Sequence, residues 1–314
     1  MENTKIHQLL AEKYNITNVE IKDGPRQFVA ETFICSVNGV GKYFIKIIAQ
    51  TDSPRKTVRS LSALTALSKA GLQSIPQVIQ TKNNQLLVED DGFIFIVFSF
   101  IEGKQTFKYD NALLGQFIAN LHKTTGKVSI PVEKELFSSY VDIVFPKIFN
   151  QGLKISNDPI NDELRKTLLP YETEIRSDWD TFQQIIQECK NLSQDRFVLT
   201  HGDAPGNVIV NNSGELFVID WDAIMFAPPE RDVWFLRDNA QFMQGYKGKY
   251  PEYQINRLFY NYYLHWRMFD DLFGWMGEIL SDKSDEHRIK NLNDLKDDYF
   301  DWLRPLVRDL PKTS

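Results

Sequence analysis

The sequence contains very little cysteine. Of its 314 residues only two are cysteines, Cys35 and Cys189. Two thiols are too few for a disulfide framework or a thiolate zinc site. A chain of this kind suits a reducing compartment, so we expect a cytoplasmic protein.

Long apolar runs are also missing. The most apolar stretch, Phe93 to Ile101, is about half of the roughly 18 residues that a membrane span needs. The first residues, MENTKIHQLLAEKY, have no apolar stretch behind a basic start. We therefore expect neither a signal peptide nor a membrane partner.

Positive charge is not in excess. Lysine and arginine total 36 against 42 aspartates and glutamates, a net charge of −6, which argues against nucleic acid as a partner. With 42% hydrophobic and 25% charged residues, the composition is typical of a folded, water-soluble chain. The length predicts about two domains or one two-lobed unit.

An antiparallel hairpin is predicted near the start of the chain. Two extended runs, QFVAETFICSV and KYFIKII, flank Asn38-Gly39-Val40-Gly41, which supplies residues that accept positive φ. Side chains alternate along a strand, so Lys46 shares a face with Phe44 and Ile48. Such a lysine either reaches the edge of the sheet or binds an anion, and the pattern leaves both open.

The pattern changes from strands to helices near Gly103. Before it, Ser53-Pro54 starts a predicted helix, and strands are predicted near 85–88 and 93–98. After it, helices dominate, with brief strand signals at 197–199, 208–210 and 216–219. We predict an N-terminal lobe over 1–98, a hinge over 99–103 and a C-terminal lobe over 104–314.

The densest polar groups follow the short late strands. They are the segment Thr200-His201-Gly202-Asp203-Ala204-Pro205-Gly206-Asn207 and the segment Ile219-Asp220-Trp221-Asp222. Strand, turn and strand return the chain on itself, so Asp203, Asn207 and Asp220 are expected to converge. Their oxygens suit Mg²⁺ bound with phosphates, and a spare carboxylate can accept a proton from a hydroxyl group. For Asn207 an Asx-turn is the alternative.

With these motifs the chain resembles the aminoglycoside phosphotransferase family, the small-molecule branch of the protein-kinase-like fold. The resemblance covers most of the chain and rests on the order of YFIKI, VFSFIEG, LGQFIANLHK, HGD…N, IDWD and APPERD. It implies an α+β, two-lobed protein-kinase-like fold with an antiparallel sheet in the N-terminal lobe and a mainly helical C-terminal lobe.

The same resemblance implies roles for the polar residues. Asp203 would orient or deprotonate the acceptor hydroxyl, and Asn207 and Asp220 would hold Mg²⁺. Lys46 would bind the α- and β-phosphates of the donor, ATP or GTP.

It also implies how the donor's base and the catalytic loop are held. The backbone of Ser99 and Ile101 would hold the adenine edge, with Phe98 behind it. His201 would brace the loop, and Asp232 would fix it through backbone N–H groups.

The chain departs from the family pattern in several places. Asn207 follows Asp203 one residue sooner than usual, and the nucleotide-covering loop near 23–27 has one glycine. The helix after Ser53 offers no carboxylate to Lys46, because Arg59 or Ser60 stands where the family has glutamate. These departures keep a non-catalytic nucleotide-binding protein open as an alternative.

A metal-dependent phosphohydrolase is the third interpretation. It would use His201, Asp203, Asp220 and Asp222 as a two-metal site with water as acceptor. Asp222 stands where kinases have glycine, and a plain turn carboxylate is the other interpretation of this residue.

The acceptor is predicted from a late helix. Tyr263, Arg267, Asp270 and Asp271 lie near one face by helical spacing, and carboxylates beside aromatic rings suit a hydroxylated amine. An intrahelical Arg267–Asp271 pair is the alternative. APPERD and this helix look closest to the spectinomycin phosphotransferase branch. The predicted function is transfer of the γ-phosphate to a hydroxyl of a small, polar, amine-bearing molecule, aminoglycoside-like or an amino alcohol.

Overall fold

The structure is a computed structural model that describes residues 1–25, 30–50, 54–138 and 141–308. The predicted helix cap Ser53 and loop residues Arg26 and Gln27 lie outside the described residues. The chain divides into two compact units. Unit 1 comprises Met1–Lys134 and Phe197–Tyr253, and unit 2 comprises Glu135–Arg196 and Gln254–Ser314.

These units have other boundaries than the predicted lobes and hinge, and the lobe division stays a prediction. The described residues form an α+β structure in which an antiparallel N-terminal sheet precedes mainly helical chain. This part of the fold prediction is confirmed. Among the helices described, none is long and apolar enough to cross a membrane.

Unit 1 begins with a five-stranded antiparallel sheet of strand order β1-β2-β3-β5-β4. Its strands and their two helices are α1 Asn3–Tyr14, β1 Glu20–Asp23, β2 Ala30–Val37, β3 Val40–Ala49, α2 Pro54–Lys69, β4 Val88–Asp90 and β5 Phe93–Ser99. The predicted hairpin is present, and Asn38 and Gly39 form its turn with φ of 52° and 76°.

The two faces of β3 have different neighbours, as the alternation of its side chains predicts. Ile45 and Ile47 are buried in a core with residues of α1, among them Ile6 and Leu10. Lys46 lies on the opposite face, in register with Ile96 of β5. The apolar alternation therefore fixes which side of the sheet carries the lysine.

The rest of unit 1 packs short strands against helices. Its elements are β6 Lys104–Gln105, α3 Asn111–Thr124, β7 Glu133–Lys134, β8 Val198–Thr200, β9 Val208–Val210, β10 Leu216–Val218, β11 Met225–Ala227, α7 Glu230–Val233 and α8 Ala240–Lys249. Asp110 caps α3, since its carboxylate accepts the N–H groups of Ala112 and Leu113. The apolar side chains Leu114, Phe117, Ile118 and Leu121 of α3 are buried, whereas Leu113 is exposed.

Unit 2 is helical. Its helices are α4 Val141–Gly152, α5 Pro159–Leu168, α6 Glu172–Lys190, α9 Arg257–Ile279, α10 Asp285–Asp294, a π-helix over Leu295–Leu303 and α11 Arg304–Arg308. Aromatic rings fill its core: Phe145 stacks on Trp179 with ring centroids 4.3 Å apart, and Phe269 meets Trp179 edge-on at 5.1 Å. The late aromatic residues of the sequence thus build a core.

Two glycines allow α3 and α8 to touch backbone to backbone. A methyl group added at Gly115 of α3 would overlap the carbonyl oxygen of Phe242, and one added at Gly245 of α8 would overlap that of Ala112. Helix backbones approach this closely only where no side chain intervenes. Gly248, in the same helix α8, has open space around it.

Gly245→Ala should therefore destabilise the protein by about 2–3 kcal/mol, because the new methyl group pushes the two helices apart. Gly248→Ala is the matched control and should raise stability by up to about 1 kcal/mol, since alanine favours helix over glycine. Urea unfolding followed by circular dichroism measures both. Equal free energies of unfolding for the two variants would show that the helices do not meet as described.

Candidate active site

A cavity of about 250 Å³ lies within unit 1, between the N-terminal sheet, helix α2 and the segment that contains Asp220. Most of its wall is apolar, with side chains from β3, β5, α2 and the late strands. The apolar wall residues include Ile34, Phe44, Ile48, Leu61, Leu64, Ile96, Phe98, Ile209 and Ile219. Such a wall suits a flat, weakly polar ring.

The segment that follows β5 borders the same cavity. The N–H of Phe100 donates to the carbonyl of Lys42 at 3.0 Å, and the N–H of Ser99 donates to the carbonyl of Gln77 at 2.9 Å. Backbone groups alternate in direction along an extended chain. Ser99 and Ile101 both line the cavity, and the N–H of Ser99 is already engaged by Gln77 on the side away from β3.

The polar end of the cavity is formed around Lys46. Its side chain is 14% exposed, and its ammonium lies 2.9 Å from Asp222 Oδ2 and 3.9 Å from Asp220 Oδ1. The aliphatic stem of Lys46 is buried on the apolar face of β3, and its ammonium lies beside two carboxylates. The side chain therefore both extends out of the apolar wall and meets anionic partners, the two options that the sequence left open.

The loop between β8 and β9 holds Asp203 and Asn207 together. The side-chain amide of Asn207 donates to Asp203 Oδ2 at 3.0 Å and to the Asp203 carbonyl at 2.8 Å. The N–H of Ile219 donates to the Asn207 carbonyl at 2.9 Å, which ties this loop to the segment before Asp220. The shorter spacing between Asp203 and Asn207 thus still brings them into contact. The bond to the Asp203 carbonyl is donated by the side chain to a residue four positions earlier, so it is not the Asx-turn that was the alternative for Asn207.

The residues present fit a Mg²⁺ ion. Asn207 and Asp220 both line the cavity, and because the Asn207 NH₂ group faces Asp203, its oxygen faces the other way. An amide oxygen and a carboxylate are hard ligands, and Mg²⁺ takes its remaining ligands from water and phosphates. Asp220 has φ of 61°, a sparsely populated conformation that is common at functional sites. The described part of the chain contains no cluster of three or more His, Cys, Asp or Glu side chains that could hold a metal ion.

The buried carboxylate of Asp232 organises the start of the loop. It accepts the N–H groups of His201 at 2.9 Å and Gly202 at 2.5 Å, and it lies 3.0 Å from Nε2 of His122. Burial disfavours the charged form, but the hydrogen bond to His122 and the nearby guanidinium of Arg231 outweigh it and lower the pKa of Asp232. The carboxylate is therefore ionised and serves the backbone.

His201 is fully buried, and both of its ring nitrogens are engaged. Nδ1 accepts the N–H of Asp203 at 3.2 Å, and Nε2 lies 3.0 Å from the carbonyl of Ile219. Burial lowers the pKa of His201, so the ring is neutral. The two-metal hydrolase interpretation needs this ring as a ligand, and the hydrogen bonds leave no nitrogen for a metal.

One family model matches residues 25–267 of the chain, and its description is the phosphotransferase enzyme family. The chain belongs to this family. The match confirms the predicted family and the prediction that the protein is a small-molecule kinase. No curated protein is significantly similar to the chain in sequence.

Solved structures of this class share the fold. A spectinomycin phosphotransferase in complex with ADP and spectinomycin has a TM-score of 0.82 at 22% identity, with 98% of each chain covered. A microcompartment-associated aminopropanol kinase has a TM-score of 0.65 at 15% identity, covering 93% of this chain and 94% of its own. An amicoumacin kinase with AMP-PNP and Ca²⁺ has a TM-score of 0.63 at 14% identity, covering 95% of this chain and 94% of its own. The protein-kinase-like α+β fold is thereby confirmed.

The predicted acceptor residues of this phosphotransferase belong to α9 in unit 2. Tyr263 is buried, and its hydroxyl donates to Glu135 at 3.2 Å. Arg267 and Asp271 form the intrahelical pair, with 2.7 Å between Nε and Oδ2. Asp270 is half-buried. Their role toward an acceptor stays a prediction.

Sequence reasoning missed two contributors to the unit 1 site. It treated Asp222 as a turn carboxylate or a hydrolase ligand, whereas the structure gives it the closest contact to Lys46. It also gave no role to His122, which contacts Asp232 although 110 residues separate them. One signal could have pointed to Asp222: because α2 contains no acidic residue, the partner of Lys46 had to come from another segment.

Asp271 gives a test of the structure of unit 2. Burial raises the pKa of Asp271 to about 6, against the opposing effect of Arg267. The raised value means that folding favours the protonated form. The contribution of this group to stability is therefore greatest below about pH 4 and is lost as the pH rises through 6.

Asp271→Asn should remove this dependence. Relative to the variant, the wild-type protein should lose about 2–3 kcal/mol of unfolding free energy between pH 4 and pH 7. Urea unfolding at several pH values measures the difference. Asp301→Asn, which removes an exposed carboxylate of the same unit, controls for net charge. A difference between wild type and Asp271→Asn that is constant with pH would contradict the raised pKa.

Proposed function

We propose that the protein transfers the γ-phosphate of ATP or GTP to a hydroxyl group of a small, polar, amine-bearing molecule, with Mg²⁺. The observation that carries this proposal is the cavity of unit 1. Its apolar wall suits a nucleotide base, and its polar end brings together Lys46, Asn207 and Asp220. Asp203 adjoins that end through Asn207.

The donor would lie along the cavity. The backbone of Ser99 and Ile101 would receive the edge of the base, with Phe98 in the wall behind it. The ammonium of Lys46 would contact the α- and β-phosphates. Asn207 and Asp220 would hold Mg²⁺, which when bound neutralises charge on the transferred group.

Asp203 would act on the acceptor. Asn207 fixes its Oδ2, so Oδ1 is the oxygen that would accept the hydroxyl proton. The acceptor oxygen then bonds to the γ-phosphorus as the bond to the bridging oxygen breaks, and the nucleoside diphosphate leaves. His201 and Asp232 would keep the loop in position for this step.

The acceptor class rests on charge and on the similar structures. The chain has a net charge of −6, and α9 carries Asp270 and Asp271 near Tyr263 and Arg267 on one predicted face. The similar structures include a kinase whose acceptor is aminopropanol, an amino alcohol. We therefore propose that the α9 residues bind a cationic acceptor.

Asp203→Asn should lower kcat by about 100- to 10,000-fold, because the amide cannot accept the proton. Nucleotide binding, measured by thermal shift with ATP or GTP and Mg²⁺, should persist, because the cavity is untouched. Asp238→Asn removes an exposed carboxylate of the same unit and should leave kcat unchanged. A screen of nucleotide consumption over amino alcohols, amino sugars and aminoglycosides supplies the acceptor. Full turnover by Asp203→Asn would refute the assigned role.

Asp270→Asn should raise KM for the acceptor about ten- to a hundredfold and change kcat little, since a lost ion pair to a bound ammonium weakens binding before and during transfer alike. The exposed Asp301→Asn is the control in unit 2. An anionic acceptor, or an unchanged KM, would overturn the acceptor proposal and leave the kinase assignment standing.

A further inference from the structure

Helix α2 lacks the carboxylate that its resemblance to kinases leads one to expect. Its sequence, PRKTVRSLSALTALSK, has no aspartate or glutamate. Arg59 and Ser60 stand at the expected position. Arg59 instead forms an ion pair with Glu133, so this part of the helix presents a serine toward the cavity.

The structure supplies the missing negative charge from another segment. Asp222, two residues after the proposed metal ligand Asp220, places Oδ2 at 2.9 Å from the Lys46 ammonium. Asp220 lies farther away, at 3.9 Å. The side chain of Lys46 is mostly buried and that of Asp222 is half exposed. Asp222 is therefore the direct partner, and Asp220 keeps its carboxylate for another ligand.

Helix α2 is still connected to this ion pair. Ser60 is buried, with 3% of its surface exposed. Its hydroxyl lies 3.4 Å from Asp222 Oδ1 and 3.0 Å from the carbonyl of Thr57. The single hydroxyl proton is thus shared between the helix backbone and the carboxylate. Lys46, Asp222 and Ser60 form one chain of contacts from β3 to α2.

We propose that Asp222 is the positioning residue for Lys46 and replaces the absent helix glutamate, with Ser60 connecting the carboxylate to α2. The inference rests on the proposed function, in which Lys46 contacts the donor's phosphates. An ammonium has three donor directions. Asp222 occupies one and fixes the side chain, and the others face the phosphates. The departure of α2 from the family pattern is then compensated within the same unit.

The ion pair itself is tested without any nucleotide. A double-mutant cycle with Lys46→Met and Asp222→Asn, measured by urea unfolding, isolates their coupling. We expect a coupling of about two- to fivefold in the unfolding equilibrium constant, the size of a half-exposed pair. The same cycle between Lys46→Met and Asp238→Asn should show none. Equal couplings would overturn the pair regardless of what the protein catalyses.

The positioning role is tested by donor affinity. Asp222→Asn should raise the Kd for ATP about three- to tenfold, both with Mg²⁺ and with a chelator present, because the lysine loses its fixed direction. In the Lys46→Met background the same substitution should have no effect. An effect that needs Mg²⁺ and persists in Lys46→Met would instead make Asp222 a metal ligand and overturn the proposal.

Moving the charge gives the sharpest test. Ser60→Glu combined with Asp222→Asn returns a carboxylate to α2, and it should recover most of the lost ATP affinity if the ion pair is what matters. Ser60→Gln with Asp222→Asn is the uncharged control and should recover none. Recovery by both, or by neither, contradicts the role of charge. If the wild-type protein binds no nucleotide, the proposed function fails with it, whereas failure of this rescue in a binding-competent protein rejects the positioning role alone.

Discussion

The buried carboxylate of Asp232 is the group on which the arrangement of the active site depends. It accepts two successive backbone N–H groups, those of His201 and Gly202, and contacts a histidine from helix α3. An ionised carboxylate is stable in the protein interior only when such donors surround it. Its burial therefore requires the loop before Asp203 and helix α3 to hold one relative position. The hydrogen bonds to Asp232 therefore contribute to the stability of unit 1 and also fix the loop that carries Asp203.

Much of this site was predictable because its signals are local. Alternation along β3 placed Lys46 opposite Ile45 and Ile47, since the period of a strand leaves only two faces. The strand, turn and strand after Thr200 brought Asp203, Asn207 and Asp220 to one region for the same reason: short connections return the chain to its starting point. The cap at Asp110 and the turn at Asn38-Gly39 follow from single-residue preferences.

The partnerships across long sequence separations were not predictable. Lys46 and Asp222 are 176 residues apart, and nothing in the pattern near either residue specifies the other. On α9 the helical spacing of Arg267 and Asp271 allowed either an acceptor-binding face or an intrahelical ion pair. The structure contains the ion pair. The short strands β7 and β11 were also not predicted, although the similarly short β8, β9 and β10 were. Tertiary packing determines which distant residues meet, and the local sequence pattern around each residue does not specify its partner.

The close approach of α3 and α8 at Gly115 and Gly245 bears on the position of His122. Helix α3 carries His122 and helix α8 carries Tyr246, whose hydroxyl lies 2.7 Å from Nδ1 of His122. The distance between the two helix axes therefore sets where His122 meets Asp232. Because Gly115 and Gly245 have no side chain, the two helices lie close enough for His122 to reach Asp232. Substitutions should thus be tolerated least at the two glycines, at His122 and Tyr246, and in the loop that carries Asp203.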